Sequence, residues 1–356
     1  MLIVFLMTHQ NSRYQASLEQ LTRAELELTL RAAGVQAQVQ TRSYVGNVAL
    51  CVDAPVHDEL LNRLLGRMSG LYMACREGDD GALYPVAGRA EAYLGQDLSG
   101  ILKYKGKTSE TFTRFLLNVA RLSGSWAQED APLDVLDPVC GRGTTLLEAL
   151  NAGDNAFGVD VDAKALDELK TFLKRYMTYH HLKHAIDARS LTVDGAPRPL
   201  WQISTASSPE EYKAHDVRSL SLVQCDTLLL DKLLARRKFH IIAGDLPYGV
   251  QHATHSGNSR TAFKPGAAGR AGAHERVKAV TIEQFTAEAV PVWARLLAPG
   301  GVLALSFNSY TLKRDALREQ MRACGLEVCQ GGAYDGMEHW VEQAVKRDLA
   351  IAVKPL

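Results

Sequence analysis

The apolar positions change period along this chain. Residues 2–7 form an apolar run of strand length. From Ser17 to Ala33 leucines recur at helical spacing, and Gly34 supplies a C-terminal stop. Two alternating runs, Gln36 to Arg42 and Asn47 to Val52, flank a Gly46-Asn47 turn signal and predict a hairpin. Val56 to Met68, with Leu60, Leu61, Leu64 and Leu65, predicts a second helix, and Leu71 to Cys75 a closing strand. The order βαββαβ predicts a small ferredoxin-like α+β domain over residues 1–80. Residues 81–126 read as a connector, Pro85 to Gly100, followed by a basic helix, Ser109 to Leu122.

Beyond Leu133 strand and helix patterns alternate. Strands are predicted at 133–137, 155–160, 219–225, 239–245 and 301–306. The helix after Asp162 carries Leu166, Leu169, Phe172, Leu173, Tyr176 and Met177 on one side. Such alternation predicts a mostly parallel sheet with helices on both faces, a Rossmann-like α/β domain over residues 127–356. Residues 185–218 mix Pro, Ser and charge without clear period and read as an insertion of short strands. Residues 251–277 are rich in Gly, Ala and Ser, with Arg260, Lys264, Arg270 and Arg276; so long a loop in a compact domain points to function or disorder.

Charge narrows the partners. The 356 residues balance 40 basic against 40 acidic side chains, so there is no global pull toward nucleic acid. Binding RNA would need a local patch, and Lys103, Lys105, Lys107 and Arg114 are the candidates for phosphate contact. The six cysteines are scattered without paired zinc spacing, which predicts reduced, mostly buried thiols. The stretch from Tyr179 to His184 lacks carboxylate or cysteine partners and reads as a polar helix end, so no metal is expected. Leu2 to Met7 is too short for a signal core or a membrane span; a soluble, cytoplasmic protein is expected.

The chemistry gathers at predicted strand ends. Asp245-Leu246-Pro247-Tyr248, followed by Gly249, closes the run Phe239 to Ala243. A carboxylate, a backbone carbonyl and an aromatic ring suit methylation of the exocyclic amine of a flat base: two hydrogen-bond acceptors for the amine and a stacking face. Upstream, Asp137-Pro138-Val139-Cys140-Gly141-Arg142-Gly143-Thr144-Thr145 reads as strand, glycine turn and helix, with Thr144 or Thr145 as the cap. It is not a Walker loop, and Leu146 stands where a dinucleotide fingerprint has its third glycine. Asp160, about twenty residues on, suits the hydroxyls of a ribose, and Asp226 suits an adenine amine. An adenosine without pyrophosphate, beside an amine-methylating turn, points to S-adenosylmethionine.

The run from Asp137 to Ala149 resembles the cofactor motif of the THUMP-associated RNA methyltransferases, which include the enzymes that methylate the 2-amino group of guanosine 10 in tRNA. Lys103 to Ser109, with Phe112-Thr113-Arg114 and Asn118-Val119-Ala120, is similar to the family's basic helix. Gly158 to Asp162 and Asp245 to Gly249 follow in the family's order, and both chain ends show weaker similarity. The resemblance implies cofactor contacts from Asp137, Pro138, Cys140, Gly141, Gly143, Thr144, Asp160 and Asp226. It implies catalysis at Asp245, Leu246, Pro247 and Tyr248, and guanine N2 of tRNA as substrate. Two features depart from the family. Leu246 replaces the first of two prolines, and Val35 to Leu102 is too short for a full THUMP domain after a ferredoxin-like lead. The residues leave two alternatives open: amino-methylation of DNA adenine or cytosine (or a protein amide), and a non-catalytic nucleic-acid-binding protein on the same scaffold.

Overall fold

The computed structural model describes residues 1–8, 12–53, 58–104, 106–247 and 280–356. Tyr248, Lys105 and the Gly/Ala/Ser-rich stretch 251–277 lie outside the described residues.

The N-terminal part contains β1 (Leu2–Leu6), α1 (Ser12–Ala32), β2 (Val39–Tyr44), β3 (Asn47–Val52), α2 (Glu59–Gly66), β4 (Leu71–Glu77) and β5 (Leu83–Gly88). Its strands form an antiparallel sheet in the order β2-β3-β1-β4-β5. The first four strands have the ferredoxin-like order. β5 was not expected: residues assigned to a connector instead pair with β4. Pro85 stands within β5, where the sheet ends, as a residue without an N–H requires. The hairpin turn is Val45-Gly46, both with positive φ, one residue before the predicted pair. Helix α1 begins five residues earlier than its apolar stripe, because its first turns are polar and carry no period.

Helix α1 serves two cores. Leu26 and Leu30 pack on the small sheet, while Leu21, Ala24 and Leu28 join the core of the larger domain. An amphipathic helix buries one face; one buried on two faces lies between two layers.

The rest comprises α3 (Leu98–Ile101), α4 (Glu110–Ser123), β6 (Asp134–Asp137), α5 (Thr144–Asn151), β7 (Asn155–Asp160), α6 (Ala163–Tyr179), β8 (His184–Val193), β9 (Ala196–Thr205), α7 (Pro209–Lys213), β10 (Arg218–Gln224), α8 (Leu230–Leu233), β11 (Phe239–Asp245), α9 (Ile282–Leu296), β12 (Leu297–Asn308), α10 (Arg314–Ala323), β13 (Glu327–Val328), β14 (His339–Glu342) and β15 (Val345–Val353). Its sheet runs β13-β15-β12-β11-β6-β7-β10-β9-β8, with β14 on β15. The five strands β10, β7, β6, β11 and β12 are mutually parallel, and β15 runs against β12. This is the expected Rossmann-like α/β fold. The insertion read as short strands over 185–218 is mainly one long hairpin, β8–β9, that extends the sheet beyond β10. Exposure of β8 on nearly every residue erased the alternation that identifies a strand. Among the described residues no helix is long and apolar enough to cross a membrane.

From β6 the chain moves outward through β7 and β10, then returns to β11 on the other side of β6. The strand order reverses between β6 and β11, so a crevice opens outside their carboxyl ends.

Candidate functional site

Four of the predicted residues end strands or follow them directly at this edge. Asp137 ends β6, Asp160 ends β7, Asp245 ends β11, and Asp226 lies two residues past β10.

The turn after β6 is built around these carboxylates. Val139 N–H donates to Asp137 Oδ1 at 3.0 Å, and Gly141 N–H to Asp160 Oδ2 at 2.7 Å. Asp162 N–H takes the other oxygen of Asp160 at 2.9 Å. One oxygen of Asp160 therefore holds this turn and the other holds its own turn into α6, and a carboxylate oxygen can accept more than one bond. The glycines have different jobs. A Cβ on Gly143, at φ +80°, would lie 2.4 Å from Leu169 Cδ2, so this glycine admits α6. One on Gly158 would meet Leu146, Cys140 and Leu222. Gly141 also has a positive φ, +50°, but a Cβ there would meet nothing within 4 Å. Close backbone approach by a ligand is thus open at Gly141, while Gly143 is filled by the protein's own packing.

Thr144 does not cap α5, contrary to expectation: Gly143 is the N-cap residue, without a side-chain bond. The Thr144 hydroxyl instead pairs with Tyr104 Oη at 2.9 Å, and Thr145 bonds Asp137. Cys140 and Pro138 are buried, and burial pushes the Cys140 thiol well up. Asp226 accepts from Leu228 N–H at 3.0 Å and caps the short 3₁₀ turn after β10.

Electrostatics mark the crevice. Burial, then the charges of Asp160 and Asp245, push Asp137 up to about 7, despite hydrogen bonds that act the other way. Burial also raises Asp160. Carboxylates crowded this way make a pocket of negative potential. Arg142, the cation in the glycine turn, is engaged by Glu168 at 2.5 Å and lies over the Tyr104 ring.

Asp245 sits at the other wall. Thr108 Oγ1 donates to its Oδ2, Ser306 Oγ donates to Oδ1 at 2.6 Å, and Arg347 Nη2 lies 3.4 Å from Oδ2. Leu246 N–H continues the ladder to Ser306 O at 2.8 Å, and its side chain is buried in the core. That anchorage fixes the turn where a proline is missing. Pro247 is half-buried.

The basic stretch is not presented as a patch. Lys107 donates to Ser99 O at 2.5 Å and pairs with Glu110. Arg114 pairs at 3.0 Å with the buried Glu148. Lys107 thus ties α3 to the start of α4, Arg114 ties α4 to α5, and Lys103 is exposed. Sequence reasoning missed Thr108, Ser306 and Arg347 around Asp245, and Tyr104 beside the glycine turn. Ser306 left a signal, a lone hydroxyl in an apolar strand; Arg347 left none.

No protein-family model matches the chain, and no curated protein matches it significantly. Solved structures do. TrmN from Thermus thermophilus aligns at 14% identity and TM-score 0.39, over 99% of this chain and 81% of its own. The rRNA methyltransferase aviRa from Streptomyces viridochromogenes aligns at 13% and 0.40, over 72% and 91% respectively. A SAM dependent methyltransferase from Agrobacterium tumefaciens gives 16% and 0.40, over 78% and 75%. Likeness at this level carries no argument about chemistry, which has to be read from the geometry of the site.

Proposed function

We propose that this chain is an S-adenosylmethionine-dependent methyltransferase acting on an exocyclic amine of an RNA base, with guanine N2 of tRNA as the first substrate to test. One observation carries the reading: Asp137, Asp160 and Asp245 end three neighbouring strands at the switch point, around a turn whose Gly141 is open to a ligand.

The donor set fits this cofactor. An anionic crevice favours the positive sulfonium and ammonium groups and disfavours a pyrophosphate, and Arg142 is already engaged by Glu168. Asp160 would hold the ribose hydroxyls, Asp226 and the end of β10 would flank the adenine, and Asp137 would face the ammonium. When bound, the cofactor supplies an electrophilic methyl group.

The amine of a base is a weak nucleophile, because its lone pair is delocalised into the ring. Asp245 and the Leu246 carbonyl would each accept an amine hydrogen and bias the nitrogen toward tetrahedral geometry. As the N–C bond forms and the methyl–sulfur bond breaks, leaving a neutral thioether, the amine proton would pass to Asp245 or to water beyond it. Positioning supplies much of the rate. Tyr248, as the stacking ring, completes the proposal. A paired base would have to be flipped out, and among the described candidates for phosphate contact Lys103 is the exposed one.

Asp245→Ala should keep S-adenosylmethionine affinity by calorimetry and lose transfer of a deuterated methyl group to RNA, read by mass spectrometry of the nucleosides. Full transfer by this variant would sink the assignment. Label in DNA alone would move the substrate to the amino-methylated bases of DNA.

A further inference from the structure

We propose that Arg347, on the last long strand, is a positioning residue for the Asp245 carboxylate; the inference rests on the function proposed above. Arg347 is 5% exposed, and its guanidinium lies 4.3 Å from the centre of the Phe112 ring. Its Nη2 is 3.4 Å from Asp245 Oδ2. Burial of a guanidinium is costly without a paired anion. The anion it meets is the carboxylate at the mouth of the crevice.

The topology explains why the residue is an arginine. β15 does not touch β11, because β12 lies between them. Asp245 is in register with Ser306, and Arg347 with Asn308. Two strand spacings, roughly 9–10 Å, separate the backbones. A long side chain is needed to cross that gap, and the Phe112 face holds the planar group on its way.

The grip has a function beyond pairing. The terminal torsion of an aspartate is broad, so an unsupported carboxylate samples many orientations. Here the segment before α4 contributes Thr108, β12 contributes Ser306 and β15 contributes Arg347, from three directions. Together they fix the plane of the carboxylate that must meet the amine. His339, packed on Phe112 at 5.2 Å, is pushed down to about 4 by burial, so it adds no competing charge near neutral pH.

The test uses the full chain in four forms: wild type, Asp245→Ala, Arg347→Met and the double variant, with Arg347→Lys as the conservative control. Single-turnover methyl transfer to RNA should fall about 10²-fold in Arg347→Met, while S-adenosylmethionine affinity stays within about twofold. Lysine should recover part of the loss. The decisive reading is the slow residual transfer at long times with excess enzyme, where the double variant should be no slower than Asp245→Ala alone, because Arg347 acts through that carboxylate. Losses that multiply, or wild-type turnover in Arg347→Met, would overturn the inference. Wild-type protein that binds the cofactor and methylates no nucleic acid overturns the proposed function instead. The pair is then read from urea unfolding of the same four proteins, where zero coupling overturns it and a favourable coupling supports it.

Discussion

The charge of a carboxylate in this crevice is set by what surrounds it. Asp137 is 3% exposed and pushed up to about 7, first by burial and then by Asp160 and Asp245. Below that value it carries a proton and is neutral; above it the side chain is an anion. If it faces the ammonium of the cofactor, binding favours the anion and releases the proton. S-adenosylmethionine affinity should therefore rise as pH goes from about 6 to about 7, by up to about tenfold per pH unit, and Asp137→Asn should remove that slope. Calorimetry in two buffers of different ionisation enthalpy would detect the released proton. A flat profile in the wild type would separate Asp137 from the cofactor. The four acids of the site were legible because each closes, or closely follows, an apolar run. Thr108 and Arg347 were not legible, since nothing local says which distant carboxylate they will meet.

At the scale of elements, the loop from β6 to α5 shows how two similar glycines diverge. Gly143→Ala puts a methyl 2.4 Å from a methyl group of Leu169, itself fully buried, at a backbone φ of +80°. Left-handed backbone costs about 1–2 kcal/mol and overpacking about 1–3. Gly141→Ala carries only the first cost, because its Cβ meets nothing within 4 Å. Urea unfolding should show a loss of about 3 kcal/mol for Gly143→Ala and about half that for Gly141→Ala. Weakened cofactor binding with the fold kept is then the expected mark of Gly141→Ala. Equal destabilisation of the two variants would contradict the packing described here. The sequence presented both glycines as one motif; only the approach of α6 distinguishes them. Likewise β5 was hidden and β8 lacked clear bounds, because edge strands with mixed exposure lose the two-residue alternation.

For the whole molecule, the junction between the small sheet and the larger domain contains a buried acid. Glu25 of α1 accepts from Ser69 N–H at 3.0 Å, from Ser69 Oγ at 2.7 Å and from Asn118 Nδ2 of α4 at 2.8 Å. Burial outweighs these donors and raises Glu25 to about 7. The folded value exceeds the unfolded one, so the protonated acid favours the folded state. Its contribution is complete below about pH 4.5 and is lost as pH rises through about 7. A shift of that size corresponds to about 3 kcal/mol. Asp137 acts with the same sign in nearly the same window. The difference in unfolding free energy between wild type and Glu25→Gln should therefore move against the wild type by up to about 3 kcal/mol between pH 4.5 and 7. A constant difference across that range would show that Glu25 does not titrate there.

What the sequence determined by itself is periodic or local. Helical leucines predicted α1, α2 and α6, apolar runs predicted the parallel strands, and turns at their ends predicted the acids of the crevice. Each of these is written in neighbouring residues, since backbone geometry imposes periods of 3.6 and 2 on whatever is buried. The tertiary structure decided the partners. It gave Lys107 and Arg114 to acids of the chain itself, Gly143 to α6, Glu25 to an interface between layers, and Arg347 to a carboxylate two strands away. Those choices depend on which elements meet, and on the cost of burying a charge alone, neither of which is written in any short stretch of the chain.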